Sequence, residues 1–171
     1  MLTSIATFPG IIVHEMAHQM FCRMQGIRVL KVCYFRLGNP AGYVLHDVPD
    51  NVFQHFLVSS GPFFVNTILG AVVALPGALR VLKLQMPTPM EYFLLWLGIS
   101  IAMHAFPSAG DAKSLLRSIW LRPSSIFAKL LGTPIVVVIY IGALGSVFWL
   151  DILYGVGVVM LFPKLLMSLL S

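Results

Sequence analysis

Residues 126–170 carry only three charged side chains, Lys129, Asp151 and Lys164. The run is twice the length that a single helical crossing of a bilayer needs, about 20 residues. It divides most simply into two spans, 127–149 and 152–169, with Asp151 at the turn. The alternative is one long tilted helix with an amphipathic end. Three more apolar stretches precede it. Residues 2–22 could cross once, with Pro9 and Gly10 as a kink. Residues 53–82 form a second span, broken locally at Gly61-Pro62 and Pro76-Gly77. Residues 90–106 form a third, ending at Pro107, after a tight connection at Gln85-Met86-Pro87-Thr88-Pro89. Charged residues are 10% of the 171, against about 25% in a soluble domain. The expected fold is an all-α polytopic membrane protein with about five transmembrane helices, forming a single domain over 1–171.

Residues 27–47 break this pattern. Val29, Val32, Tyr34, Phe35, Tyr43 and Val44 favour strands, and Gly38-Asn39-Pro40-Ala41-Gly42 is a turn signal between them. A short β-hairpin at the membrane surface, between the first and second spans, is expected. The basic residues orient the chain. Arg23, Arg28, Lys31 and Arg36 follow the first span, and Lys113, Arg117, Arg122 and Lys129 lie between the third and fourth. Lys164 lies near the end of the fifth, and only Arg80 and Lys83 fall on the other side. The positive-inside rule puts the N-terminus outside and the 27–51 and 108–125 loops in the cytoplasm. The net charge of +5 thus marks topology, not a nucleic-acid stripe, and no nucleic-acid partner is expected. Cys22 and Cys33 are too few for a disulfide framework. No cleavable signal peptide is expected, because the N-terminus lacks a basic region.

The first apolar stretch contains His14-Glu15-Met16-Ala17-His18. An ionisable side chain at the centre of a membrane helix costs roughly 2.5–3.5 kcal/mol on insertion scales. Two histidines and a glutamate in such a segment imply use. On a helix, positions i and i+4 share a face, so His14 and His18 can present two imidazole nitrogens to one zinc ion. Glu15, one step round, can act as general base on a zinc-held water. The plain alternative is a chance HExxH on a buried helix. A catalytic zinc normally takes a third protein ligand. Asp111 is the preferred candidate, because Phe106-Pro107-Ser108-Ala109-Gly110 can bend the chain back into the bundle. Its alternative role is an N-cap for a helix over 112–118. His104 is the second candidate ligand. Glu91 and Asp151 are on the wrong side of the bilayer, and Asp47 and Asp50 read as solvated loop residues. His46 and His55 read as interfacial and Cys22 as a core residue. The glycines at 70, 142, 145, 155 and 157 suit close helix packing in lipid.

HEMAH in an apolar span, then Ser60-Gly61-Pro62-Phe63-Phe64-Val65-Asn66, then Phe106-Pro107-Ser108-Ala109-Gly110-Asp111, resembles the site-2 protease family of intramembrane zinc metalloproteases. The resemblance covers residues 1–118 as a catalytic core and leaves the additional spans in 126–170 outside it. It implies that His14, His18 and Asp111 bind one zinc ion and that Glu15 is the catalytic acid/base. It implies that Asn66, beside Gly61 and Pro62, helps hold the substrate or the oxyanion. Three residues separate Gly61-Pro62 from Asn66 where the family has two, and Asp111-Ala112 stands where the family has Asp-Gly. With no PDZ domain, the chain resembles a minimal core. The resemblance also implies that the 27–47 strand region captures the unwound backbone of a transmembrane protein substrate by β-augmentation. The alternative is a hairpin that merely links two helices.

The function expected on these grounds is zinc-dependent cleavage of peptide bonds in or near transmembrane segments, at an integral, multi-pass membrane location with the active site toward the cytoplasm. Two other classes remain: another membrane zinc hydrolase, and a non-catalytic membrane metal-binding protein. The first would draw a glutamate ligand from a later helix, and Glu91 is the only other glutamate. The second has no need of Glu15. Oligomeric state is not legible.

Overall fold

The computed structural model describes residues 2–83, 86–121, 126–145 and 148–170. Gln85 and Arg122, which entered the connection and the charge pattern above, lie outside the described residues. The elements in chain order are α1 (Leu2–Ala6), α2 (Phe8–Met24), β1 (Val29–Cys33), β2 (Tyr43–His46), α3 (Val52–Leu82), α4 (Pro89–Met103), α5 (Ala109–Leu121), α6 (Ile126–Gly145) and α7 (Leu150–Leu170). The protein is mostly helical, with one antiparallel hairpin. Among the described residues two helices, α3 and α7, are long and apolar enough to cross a membrane.

The first apolar stretch is two helices where one kinked span was expected. The break is at Thr7, and Pro9 sits in the first turn of α2. Proline is tolerated there because the N–H it lacks would have had no partner in the helix. The hairpin falls within 27–47, pairing Lys31 with Leu45, Val32 with Val44 and Cys33 with Tyr43. It is tied to α2 by the Tyr34 hydroxyl, which donates to the Gln19 side chain.

The expected breaks at Gly61-Pro62 and Pro76-Gly77 do not occur: α3 is continuous through both prolines. A proline removes one backbone hydrogen bond. Unwinding would leave several more buried backbone groups without partners inside the packed bundle. Asn51 opens this helix by accepting from Gln54 N at 2.9 Å.

Small residues let α3 and α4 cross closely. A Cβ added to Gly98 would lie 2.5 Å from Ala74 Cβ and 2.6 Å from the Gly70 carbonyl oxygen. Backbones of α3 and α4 therefore meet directly, as at small-residue interfaces in lipid. Asn66, fully buried, locks a third helix to this pair. Its Nδ2 donates to the Gly10 carbonyl on α2 at 3.1 Å and to the Ile101 carbonyl on α4 at 3.0 Å.

Helix α7 lies over α3 and α4, with Val159 buried against Ala74 and Ala78. Gly155 faces the Ile99 carbonyl across this contact. Helix α6 packs Val136 onto Ala112, Leu115 and Ile119 of α5. The 126–170 region is thus two helices, with Asp151 in the first turn of the second. Gly157 departs from its expected packing role, since nothing lies within 4 Å of a Cβ placed there.

Candidate metal centre

Two elements bring His14, His18 and Asp111 together. The first two are successive turns of one face of α2, and Asp111 is in the first turn of α5. Their potential ligand atoms all lie within 4.8 Å of one another. His14 Nε2 stands 3.1 Å from His18 Nε2, which stands 3.5 Å from Asp111 Oδ2.

The opposite ring nitrogens decide what this cluster can bind. His14 Nδ1 donates to the His104 carbonyl at 2.7 Å, and His18 Nδ1 donates to the Val58 carbonyl at 2.9 Å. A carbonyl only accepts, so both Nδ1 atoms carry hydrogen and, in the neutral rings, both Nε2 atoms carry lone pairs. Two such lone pairs and a carboxylate repel one another unless a cation lies among them. Backbone carbonyls at the far side of each imidazole are the usual support of metal-ligating histidines. The donor set of two imidazoles and one carboxylate fits a zinc ion with a position left for water.

Asp111 combines the two roles weighed for it. Its Oδ2 accepts from Ser108 N at 3.0 Å and from Ser108 Oγ at 2.7 Å, while Ser108 Oγ accepts from Asp111 N at 3.1 Å. This reciprocal pair is a capping box, with Ser108 as the cap and Asp111 as its partner three residues on. The box aims the carboxylate at His18. Two hydrogen bonds from Ser108 N and Oγ stabilise the ionised form of the Asp111 carboxyl. It is therefore an anionic donor.

His104 does not take the place of Asp111. The Thr7 hydroxyl donates to the Thr3 carbonyl at 2.7 Å, so it accepts from His104 Nε2 at 2.9 Å. What His104 gives the centre is its main-chain carbonyl. Gly10 makes that approach possible: a Cβ there would lie 2.6 Å from His104 Cδ2.

Glu15 is buried beside the two histidines and lines the same cleft, whose volume is 360 Å³. Residues Pro40 to Val44 of the hairpin close the other wall. Gly42 is the contact point, since a Cβ there would fall 2.7 Å from Glu15 Cγ. His46 also lines the cleft. His55 is buried, with Nε2 3.0 Å from Ser114 Oγ on α5. A larger, wholly apolar groove of 510 Å³ lies between α3, α6 and α7 and meets the cleft at Phe106.

Asn66, Gly61 and Pro62 are not brought to the cleft. All three are buried within the helix bundle. Asn66 is a crossing pin between helices, and Gly61 faces the ring of Phe21, whose Cγ would be 2.7 Å from an added Cβ. Glu91 stands away from the centre in an ion pair with Arg80, and Asp47 and Asp50 are exposed. Cys22 is a core residue packed on Ile27 and Val58.

Sequence reasoning missed Thr7, Gly42 and Ser108, and it missed the carbonyls of Val58 and His104. Ser108 had a signal, as the Ser of a Ser-x-x-Asp spacing ahead of a helix. No protein-family model matches this chain, and no curated protein or solved structure is significantly similar to it.

Proposed function

We propose that this protein is an intramembrane zinc endopeptidase, which cuts peptide bonds in or near transmembrane segments of other membrane proteins. One observation carries the reading. Both histidines of HEMAH turn a protonated Nδ1 to a main-chain carbonyl and converge their Nε2 atoms with the Asp111 carboxylate. Beside them stands Glu15, a residue that metal storage does not require.

His14, His18 and Asp111 would hold the ion. When bound, zinc would supply Lewis acidity toward a scissile carbonyl and lower the pKa of a nearby water toward about 7. Glu15 takes the proton from the attacking water and returns it to the departing amine. Gly42 keeps the carboxylate against the metal side of the cleft by leaving no room behind it. The hairpin supports a role in substrate capture. Among the described residues its sheet has two strands, so each keeps one edge open, and Tyr43, Val44 and His46 of β2 line the cleft. An extended substrate backbone can add to such an edge.

The membrane reading rests on the outer surface. Ile68 and Val72 on α3, Val138 and Ile141 on α6, and Leu153 and Leu161 on α7 are all exposed. So many large apolar side chains around a bundle mark contact with lipid. Five crossings, with the N-terminus outside and the metal toward the cytoplasm, agree with the basic loops. They also bring HEMAH, the start of α3 and the end of α4 to one depth. The test is Glu15→Gln in proteoliposomes with a fluorogenic single-span reporter. Zinc content and fold should persist while cleavage falls by about 10²–10⁴-fold. Cleavage at the wild-type rate would overturn the mechanism.

A further inference from the structure

We propose that Pro62 is a positioning residue for the metal, and that it acts by leaving the Val58 carbonyl free for His18. In an α-helix the N–H of residue i donates to the carbonyl of residue i−4. The regular partner of the Val58 carbonyl is therefore the N–H of residue 62, and residue 62 is proline. Proline has no N–H, and its ring presses the i−4 carbonyl away from its helical direction. The helix runs on unbroken from Val52 to Leu82, so the vacancy is local. His18 Nδ1 fills it from α2 at 2.9 Å, across a distance of forty residues in the chain.

Gly61 supplies the other half. The Phe21 ring of α2 lies against its Cα, where any side chain would collide. Glycine thus lets α2 come close enough to α3 for His18 to reach Val58. Gly61 sets the distance and Pro62 frees the acceptor. The second ligand obeys the same logic by another route. The His104 carbonyl lies at the end of α4, and the N–H four residues on, Ser108, donates to Asp111 instead. Each imidazole is therefore oriented by a carbonyl that its own helix has given up.

This inference rests on the metal reading above. The consequence is unusual for a proline in a helix interior. Pro62→Ala restores an N–H and a strong helix former, so α3 should be no less stable. The new N–H shares the Val58 carbonyl and weakens its hold on His18. Loss of such a supporting bond lowers metal affinity by about 10–100-fold.

The experiment is zinc binding by the full-length protein in detergent micelles, measured by competition with a chelating dye. Pro62→Ala should bind zinc about tenfold or more weakly than wild type, with a thermal midpoint equal or higher. Pro76→Ala, in the same helix, should bind as wild type. The backbone ester Pro62→lactic acid, which has the alanine side chain and no N–H, should recover wild-type affinity. Unchanged affinity in Pro62→Ala would overturn the proposal, as would an ester variant as weak as the alanine one. A wild-type protein that binds no zinc would instead overturn the metal reading itself.

Discussion

At His14 and His18 the side-chain identity was legible and its preparation was not. HEMAH is a local pattern, and helix geometry alone puts both rings on one face. Which nitrogen faces inward depends on carbonyls 40 and 90 positions away in sequence, and HEMAH itself carries no sign of those. Asp111 was legible as one candidate among several, while the capping box that aims it depends on the rotamer of Ser108. These assignments make the third ligand testable. Asp111→Ala should lose zinc, whereas His104→Ala keeps the main-chain carbonyl that His14 uses and should retain it. Metal analysis of the two purified variants separates them, and the reverse pattern would transfer the ligand role to His104. Gly42 makes a different prediction. A methyl group there has to displace Glu15, so Gly42→Ala should keep zinc yet lower turnover at least tenfold (on the order of 1.4 kcal/mol). Zinc content and cleavage measured on one sample check both halves.

Among the elements, the hairpin and the apolar helices could be read because each has its own periodicity or turn signal. The continuity of α3 could not. Pro62 and Pro76 read locally as breaks, but their context is a bundle where unwinding has nowhere to send its polar groups. For Asn66 the family resemblance implied a place at the substrate or oxyanion, and its amide joins α2, α3 and α4. Asn66→Ala should therefore act on stability. It removes two buried hydrogen bonds, worth about 0.5–1.5 kcal/mol each, so the thermal midpoint should fall while the folded fraction still binds zinc. Loss of activity with no loss of stability would return Asn66 to the substrate. Gly98→Val tests the α3–α4 crossing in the same assay. Its Cβ would meet Ala74 and the Gly70 carbonyl, and overpacking of this kind costs about 1–3 kcal/mol.

Across the whole molecule, the candidate metal centre is a product of assembly. Helix α2 supplies two donors, α5 a third, and α3 and the end of α4 supply the carbonyls that orient them. The apolar exterior and the basic loops place that assembly in a bilayer in the proposed reading. Single cysteines introduced at Arg36 and Lys113, in a chain lacking Cys22 and Cys33, should react with impermeant maleimide only from the cytoplasmic side. One introduced at Pro87 should react only from the other; labelling of all three from one side would refute the five-span arrangement. The most direct test of the centre itself is zinc K-edge X-ray absorption on the protein reconstituted in lipid. The expected shell is two imidazole nitrogens with oxygen ligands at about 2.0–2.2 Å, and Asp111→Ala should lose it. A wild-type sample without zinc, or with a shell of three imidazoles or of sulfur, would contradict the assignment.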